Sequence, residues 1–405
     1  MDKSIIFDRV KIATDYMLKH QVINRLDANQ GRTLNCYNSV TGFEFYTTSW
    51  ETGIFMACLL AMYKRTGDPM YLDRAEHAGH YIMSLQVMDS RDMTRYGTFH
   101  ECTPQSVEFC PRDATTAAWC MVWLYEATKK AEYLDRAILF AEWHMKYGMC
   151  GGWPLWAIFM DENNFKYYTK GSFQSGTGLF YHDLFMQTND PRYIEQGLRP
   201  IAETYVRDYF NEDGSIIVER EIFSNKIQIR EGHSIESDMH LYNDDFGNQM
   251  LMAAAHIFKD EKYRDQARKF ALWLASVQQE DGNFFNGRKT VSSAVAQSLM
   301  YFDELGRYYN DPVLLAAAEK TFKKALDMQL LDTDDPKLYG AFEGMPEKDC
   351  PDPRKLTQMR TNAYMVIALL KLEGKIKNFW LGGEHNTQFM DPLCDKTLPP
   401  YKFKW

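Results

Sequence analysis

The sequence predicts an all-α protein: six helical hairpins closed into a two-layer (α/α)6 toroid, with short β elements in the long loops at the pocket face. Three observations predict it. One segment recurs along the chain, two kinds of helix alternate, and the linkers fall into two length classes.

The recurring segment is Tyr71-Leu72-Asp73-Arg74-Ala75, repeated as Tyr133-Leu134-Asp135-Arg136-Ala137. Degenerate copies begin at Tyr193, Tyr263 and Val313, and an N-terminal copy at Phe7. Each opens an amphipathic helix with apolar residues at helical spacing. Asp68-Pro69, Asp190-Pro191 and Asp311-Pro312 precede three of them, an N-cap aspartate followed by proline in the first turn. The charged face of these segments suits an outer, half-solvated layer, expected near 5–20, 71–86, 133–147, 193–209, 263–278 and 313–329.

Between them lie more apolar helices, expected near 49–66, 114–129, 172–188, 244–259, 291–308 and 360–373. They carry small residues such as Gly53, Ala57, Ala117, Gly178 and Ala253, which fit helices crowded at the centre of a ring. Links from inner to outer helices are short, whereas most links from outer to inner helices run to about 25–35 residues, and loops of that length usually carry function. Because the helices alternate in direction, all the long links emerge on one face. Several contain Gly-aromatic pieces, Tyr96-Gly97-Thr98-Phe99, Gly151-Gly152-Trp153, Asp281-Gly282-Asn283-Phe284 and Tyr339-Gly340-Ala341-Phe342, expected as short strands or turns at the rim.

The chain has 405 residues and a formal net charge of −9 without a basic block, which argues against a nucleic-acid partner. No stretch approaches the ~18 apolar residues of a membrane span. The N-terminus lacks the apolar run of a signal peptide, so a cytoplasmic location is expected. The eight Cys form no CxxC pair and read as free thiols. No helical HxxxH pair or compact ligand spacing occurs, so neither metal nor cofactor is expected. Residues 1–374 form the toroid; the tail, 375–405, lacks periodicity and either seals the ring or joins a subunit contact in a homo-oligomer.

The first turns of the inner helices should converge on the pocket. They supply Trp50 and Glu51, then Arg112 and Asp113, then Ser172, Gln174 and Ser175, then Tyr242, Asn243, Asp244 and Asp245, and finally Arg360. Such residues also cap helices, but of two adjacent aspartates only one can be the cap. The loop before Asp244 is dense in ionisable groups, with Arg230, His233, Glu236, Asp238 and His240. Glu101 and Glu343 sit beside Gly-aromatic elements as further candidate acids. Glycosidic cleavage needs one acid for the departing oxygen and one carboxylate opposite it. Asp113, Asp244, Asp245, Glu236 and Asp238 are the candidates for those roles. Arg112, Arg230 and Arg360 suit a sugar carboxylate, and Trp50, Trp153 and Trp156 suit ring faces. Trp119 and Trp123, inside an inner helix, read as core.

Across roughly residues 5–373 the chain resembles the six-hairpin glycosidase superfamily, on its Tyr-Leu-Asp-Arg-Ala outer helices, the Thr66-Gly67-Asp68 turn and Ser49-Trp50-Glu51-Thr52-Gly53. Within that group it looks most like unsaturated glucuronyl and rhamnogalacturonyl hydrolases and related glucuronidases. The resemblance implies a catalytic aspartate at the start of the second inner helix, where Asp113 stands. Those hydrolases also use an aspartate near the third inner helix, and here the chain reads Gly171-Ser172-Phe173-Gln174-Ser175. A second acid is then expected from Asp244, Asp245, Glu236 or Asp238. The function this implies is an exo-acting glycoside hydrolase for uronic-acid-containing oligosaccharides. A lyase or epimerase using Tyr242 and His240, a terpenoid-type toroid and a non-catalytic sugar or peptide binder are the alternatives.

Overall fold

The computed structural model describes residues 1–46, 49–104, 106–156, 158–161, 164–167, 170–229, 239–285 and 291–376. The outer helices are α1 (Ile6–Lys19), α3 (Pro69–Ser84), α5 (Ala131–Trp143), α7 (Arg199–Asp208), α9 (Lys262–Val277) and α11 (Pro312–Asp327). They alternate with the inner helices α2 (Ser49–Thr66), α4 (Pro111–Thr128), α6 (Thr177–Thr188), α8 (Gly247–Phe258), α10 (Ser292–Tyr308) and α12 (Met359–Glu373). A π-helical turn, Tyr193–Leu198, leads into α7.

Local chemistry sets the starts of the outer layer. The Asp68 carboxylate accepts from Met70 N–H at 2.9 Å, and Asp311 accepts from Val313 N–H at 3.1 Å, each with proline at the first helical position. The outer helices bury one stripe, as in α1, where Ile6, Val10, Ala13 and Met17 face inward. The inner helices are buried almost all round; in α10 every residue from Ser292 to Gly306 is buried. Small residues permit that crowding. A side chain added at Gly53 would stand 3.1 Å from the Ala117 backbone, and one at Gly178 would strike Met250 at 2.5 Å.

A repeated staple closes the ring. After four outer helices a glutamine, Gln21, Gln86, Gln278 or Gln329, donates its amide to a glycine carbonyl in its own long loop and to a carbonyl of the next outer helix. The last of them, Gln329, reaches Arg9 O at 2.9 Å, joining the sixth hairpin to the first. The loop glycines, Gly31, Gly97, Gly282 and Gly340, have φ near +90° and press against the neighbouring helix backbone, where a Cβ would clash. The Gly-aromatic pieces expected at the rim are therefore mainly docking points. Phe99, Phe284 and Phe342 beside them are fully buried.

Short strands occupy the long loops. Cys36–Asn38 pairs with Phe43–Phe45 and with Leu356–Gln358, so this three-stranded sheet also ties the first long loop to the last. No helix among the described residues is long and apolar enough to cross a membrane.

Candidate active site

Inner helices start on the long-loop face, and three alternate ones meet near the ring axis. Arg112, in the first turn of α4, donates Nη1 to Asp113 Oδ1 at 2.9 Å and Nη2 to Asp245 Oδ2. Tyr364, one turn into α12, donates its hydroxyl to Asp245 Oδ1 at 2.8 Å. His240 Nδ1 lies 3.7 Å from Asp245 Oδ2. Asp245 is thus gripped from several sides, and its side chain is 1% exposed. Burial alone would raise its pKa, but the charges of Arg112, His240 and Arg360 and the Tyr364 hydroxyl outweigh it and hold the group below the ordinary aspartate value.

Asp245 reaches this position through an unusual turn. Asp245 and the following Phe246 both have left-handed backbones, φ +43° and +73°, just before α8. Such conformations cost on the order of 1–3 kcal/mol each in non-glycine residues and concentrate at functional sites. Asn243 holds the turn, accepting from Asp245 N–H at 3.1 Å while its amide donates to Ser293 Oγ. Asp244 accepts from Asn248 N–H at 2.7 Å and is fully buried. Of the two aspartates, Asp244 is the cap and Asp245 faces the cavity, so Asp244 is corrected from catalytic candidate to part of the wall. Burial first, and the neighbouring Asp245 charge, push the Asp244 carboxyl up to about 7.

Asp113 faces a second carboxyl group. Glu101, Cys110 and Asp113 each bring a polar atom within 4.8 Å of the others. Glu101 is 6% exposed, and burial, then the Asp113 charge and a hydrogen bond to Asp113, lift its carboxyl well above the ordinary glutamate value. The two carboxyls are a pair that one proton can hold together. A cation could use the same three ligands, but Arg112 on Asp113 already supplies positive charge there. Glu51, which accepts from Asn35 Nδ2 at 2.9 Å, is pushed up to about 8, chiefly by burial and then by Asp113.

Aromatic rings line the rest. A small cavity lies among Trp50, Arg112, Trp119, Phe173, Asp245 and Phe246. The Arg112 guanidinium sits 4.7 Å from the Trp50 ring centre, and Arg360 5.8 Å. Phe173 stacks on His240 at 4.1 Å and meets Trp156 edge-on at 5.9 Å. Among the described residues, the hydrogen bond of Arg360 runs to Met239 Sδ, and no carboxylate neutralises it directly.

The structure therefore brings together Trp50, Glu51, Arg112, Asp113, Trp156, His240, Asp245 and Arg360. It moves others away. Trp153, expected to stack on a sugar, is fully buried against Tyr209 at 4.3 Å and belongs to the core. Tyr242 stacks on Trp273 of outer helix α9. Asn243 serves the turn rather than the cavity. Glu343 has Arg354 3.5 Å away and Lys324, Asp327 and Asp352 as charged neighbours, none from the Arg112 group. Arg230, His233, Glu236 and Asp238 lie outside the described residues, as does the tail beyond residue 376. Tyr364, Phe173 and Phe246 are additions. Tyr364 follows Arg360 by one helical turn, a spacing that puts both on one face. Trp119, read as core, does donate to buried Asp183 at 2.6 Å, yet it also floors the cavity.

No protein-family model matches the chain, and no curated protein matches it. Solved structures do. A sugar epimerase from a ruminal bacterium superposes with a TM-score of 0.70 at 14% identity, over 91% of this chain and 98% of that one. Cellobiose 2-epimerase from Bacillus thermoamylovorans gives 0.71 at 12% identity, over 92% and 100%. An unsaturated glucuronyl hydrolase specific for heparin gives 0.66 at 15% identity, over 93% and 99%. The chain has the (α/α)6 toroid fold of these structures.

Proposed function

We propose that the chain is a glycoside hydrolase that removes a terminal sugar from uronic-acid-containing oligosaccharides. The observation that carries this reading is the Glu101–Asp113 carboxyl pair facing an ionised Asp245 across one guanidinium. Burial and the Asp113 charge favour the protonated form of Glu101, because ionising it would bury a second negative charge beside Asp113. It is the group to protonate the departing oxygen. Asp245 stays ionised and stands opposite, as base for water or as counter-charge to the oxocarbenium-like transition state. One guanidinium bonds both Asp113 and Asp245, which brings the Glu101–Asp113 pair close to the Asp245 carboxylate. Trp50 is one of the aromatic rings that line the cavity.

Arg112 is already matched by two carboxylates, which leaves Arg360 as the cation for a sugar carboxylate. Arg360→Ala should weaken kcat/KM for uronides by about 10- to 100-fold while changing neutral glycosides little, since a charge-assisted hydrogen bond contributes about 1.5–3 kcal/mol. Equal losses on both substrate classes would remove Arg360 from that role.

A second reading has its own support. His240 beside Asp245 is a base with an orienting carboxylate, the arrangement that proton abstraction next to a carbonyl requires. Two of the structural relatives described above are epimerases. An epimerase or lyase would exchange a carbon-bound hydrogen with deuterated solvent, and a hydrolase would not.

A further inference from the structure

The hairpin ahead of α2 carries an aromatic surface that the pocket chemistry does not use. Phe43 and Phe45 are 54% and 43% exposed, and Val40 at the hairpin tip is 62% exposed. Alternation along the strand puts both phenylalanines on one face. Glu44, between them, turns to the other face and accepts from Lys337 Nζ at 2.7 Å. The two rings lie side by side, with centres 5.9 Å apart and planes 21° from parallel. Folding leaves large apolar rings next to each other in water at a cost, and such patches mark binding surfaces.

The position of this patch says what covers it. Phe45 pairs in register with Cys36 and Phe43 with Asn38, so the rings run outward from the residue next to Asn35. Asn35 ties the hairpin inward: its backbone N–H bonds Phe45 O at 2.7 Å, its carbonyl accepts from Met359 N–H at 2.7 Å, and its amide holds Glu51 at 2.9 Å. On the same face Cys36 feels the charges of Glu347 and Glu51. The patch is therefore linked through Asn35 to Glu51, whose chain neighbour Trp50 lines the cavity.

We propose that Phe43 and Phe45 form a distal sugar-binding platform, stacking on rings of an oligosaccharide whose terminal unit occupies the pocket. This rests on the carbohydrate reading of the pocket, and its test does not require turnover. Native gels cast with dissolved neutral or uronate-containing polysaccharides are run with the wild-type chain, Phe43→Ala, and the Phe43→Ala/Phe45→Ala double variant. Thermal melts establish that the variants are folded. The wild-type chain should be retarded by at least one polysaccharide, and the double variant should need roughly three- to tenfold more of it for equal retardation, the range expected when stacking contacts are lost. Unchanged retardation in the double variant, or no retardation of the wild-type chain, overturns the proposal. So does a concentration-dependent dimer that the double variant abolishes, because the rings would then be a contact between copies. Retardation lost in the double variant supports the platform even where no hydrolysis is found.

Discussion

Glu101 and Asp113 present two carboxyl groups to each other in a wall from which water is largely excluded, and a single shared proton relieves their repulsion. Glu101 therefore holds its proton to higher pH than an ordinary glutamate, and activity should fall on the alkaline side as it ionises. Glu101→Gln keeps the shape and removes the proton; kcat should drop about 10²- to 10⁴-fold, the contribution of a positioned general acid, with little change in melting temperature. A loss in stability that matches the loss in rate would instead make Glu101 a packing residue. Asp113, Arg112, Trp50 and Arg360 are legible from sequence because helix direction alone brings inner first turns to one mouth. Glu101, set on a long loop, has no such period and is a candidate only through its place beside a Gly-aromatic element, a signal that Glu343 shares. Trp153 misleads for a related reason: its partner Tyr209 comes from a distant helix, and nothing near Trp153 in the chain reveals that stacking.

At the scale of elements, the turn before α8 matters more than the helix it opens. Two left-handed residues in succession aim the Asp245 carboxylate at Arg112 and Tyr364, and Gly176 makes room for them. A Cβ at Gly176 would come within 2.2 Å of the Asp245 carbonyl oxygen. Gly176→Ala should destabilise by about 1–3 kcal/mol, as overpacking does, and should lower kcat more than any other change outside the carboxylates. Denaturant melts together with kinetics check this, and a fully active Gly176→Ala chain would show that the turn is not held so tightly. The starts of α3 and α11 were predictable to within a few residues because their Asp-Pro caps are local signals. The role of the Gly-aromatic pieces was not, since the backbone they press against belongs to the next hairpin.

For the whole molecule, closure is what gives six weakly amphipathic hairpins a common core. Gln329 on Arg9 and the sheet joining residues 36–38 to 356–358 complete the circle. The same closed interior stores carboxyl groups in their neutral form. Asp244 at about 7 and Glu51 at about 8 have folded values above their unfolded ones, so their contribution to stability is full at acid pH and is lost as pH rises through those values. Melting temperature should thus decline from about pH 4, where the unfolded carboxyls ionise, to about pH 8, and Asp244→Asn should flatten the part of that decline below about 7; an unchanged slope would place that titration elsewhere. The central claim is that the Asp113 cluster cleaves a glycosidic bond with water. Incubating uronate-containing oligosaccharides in H₂¹⁸O and weighing the products by mass spectrometry tests it most directly. One heavy oxygen should appear on the released anomeric carbon with the wild-type chain and no product with Asp113→Asn. Turnover by Asp113→Asn, or an isomerised product without heavy oxygen, would contradict it.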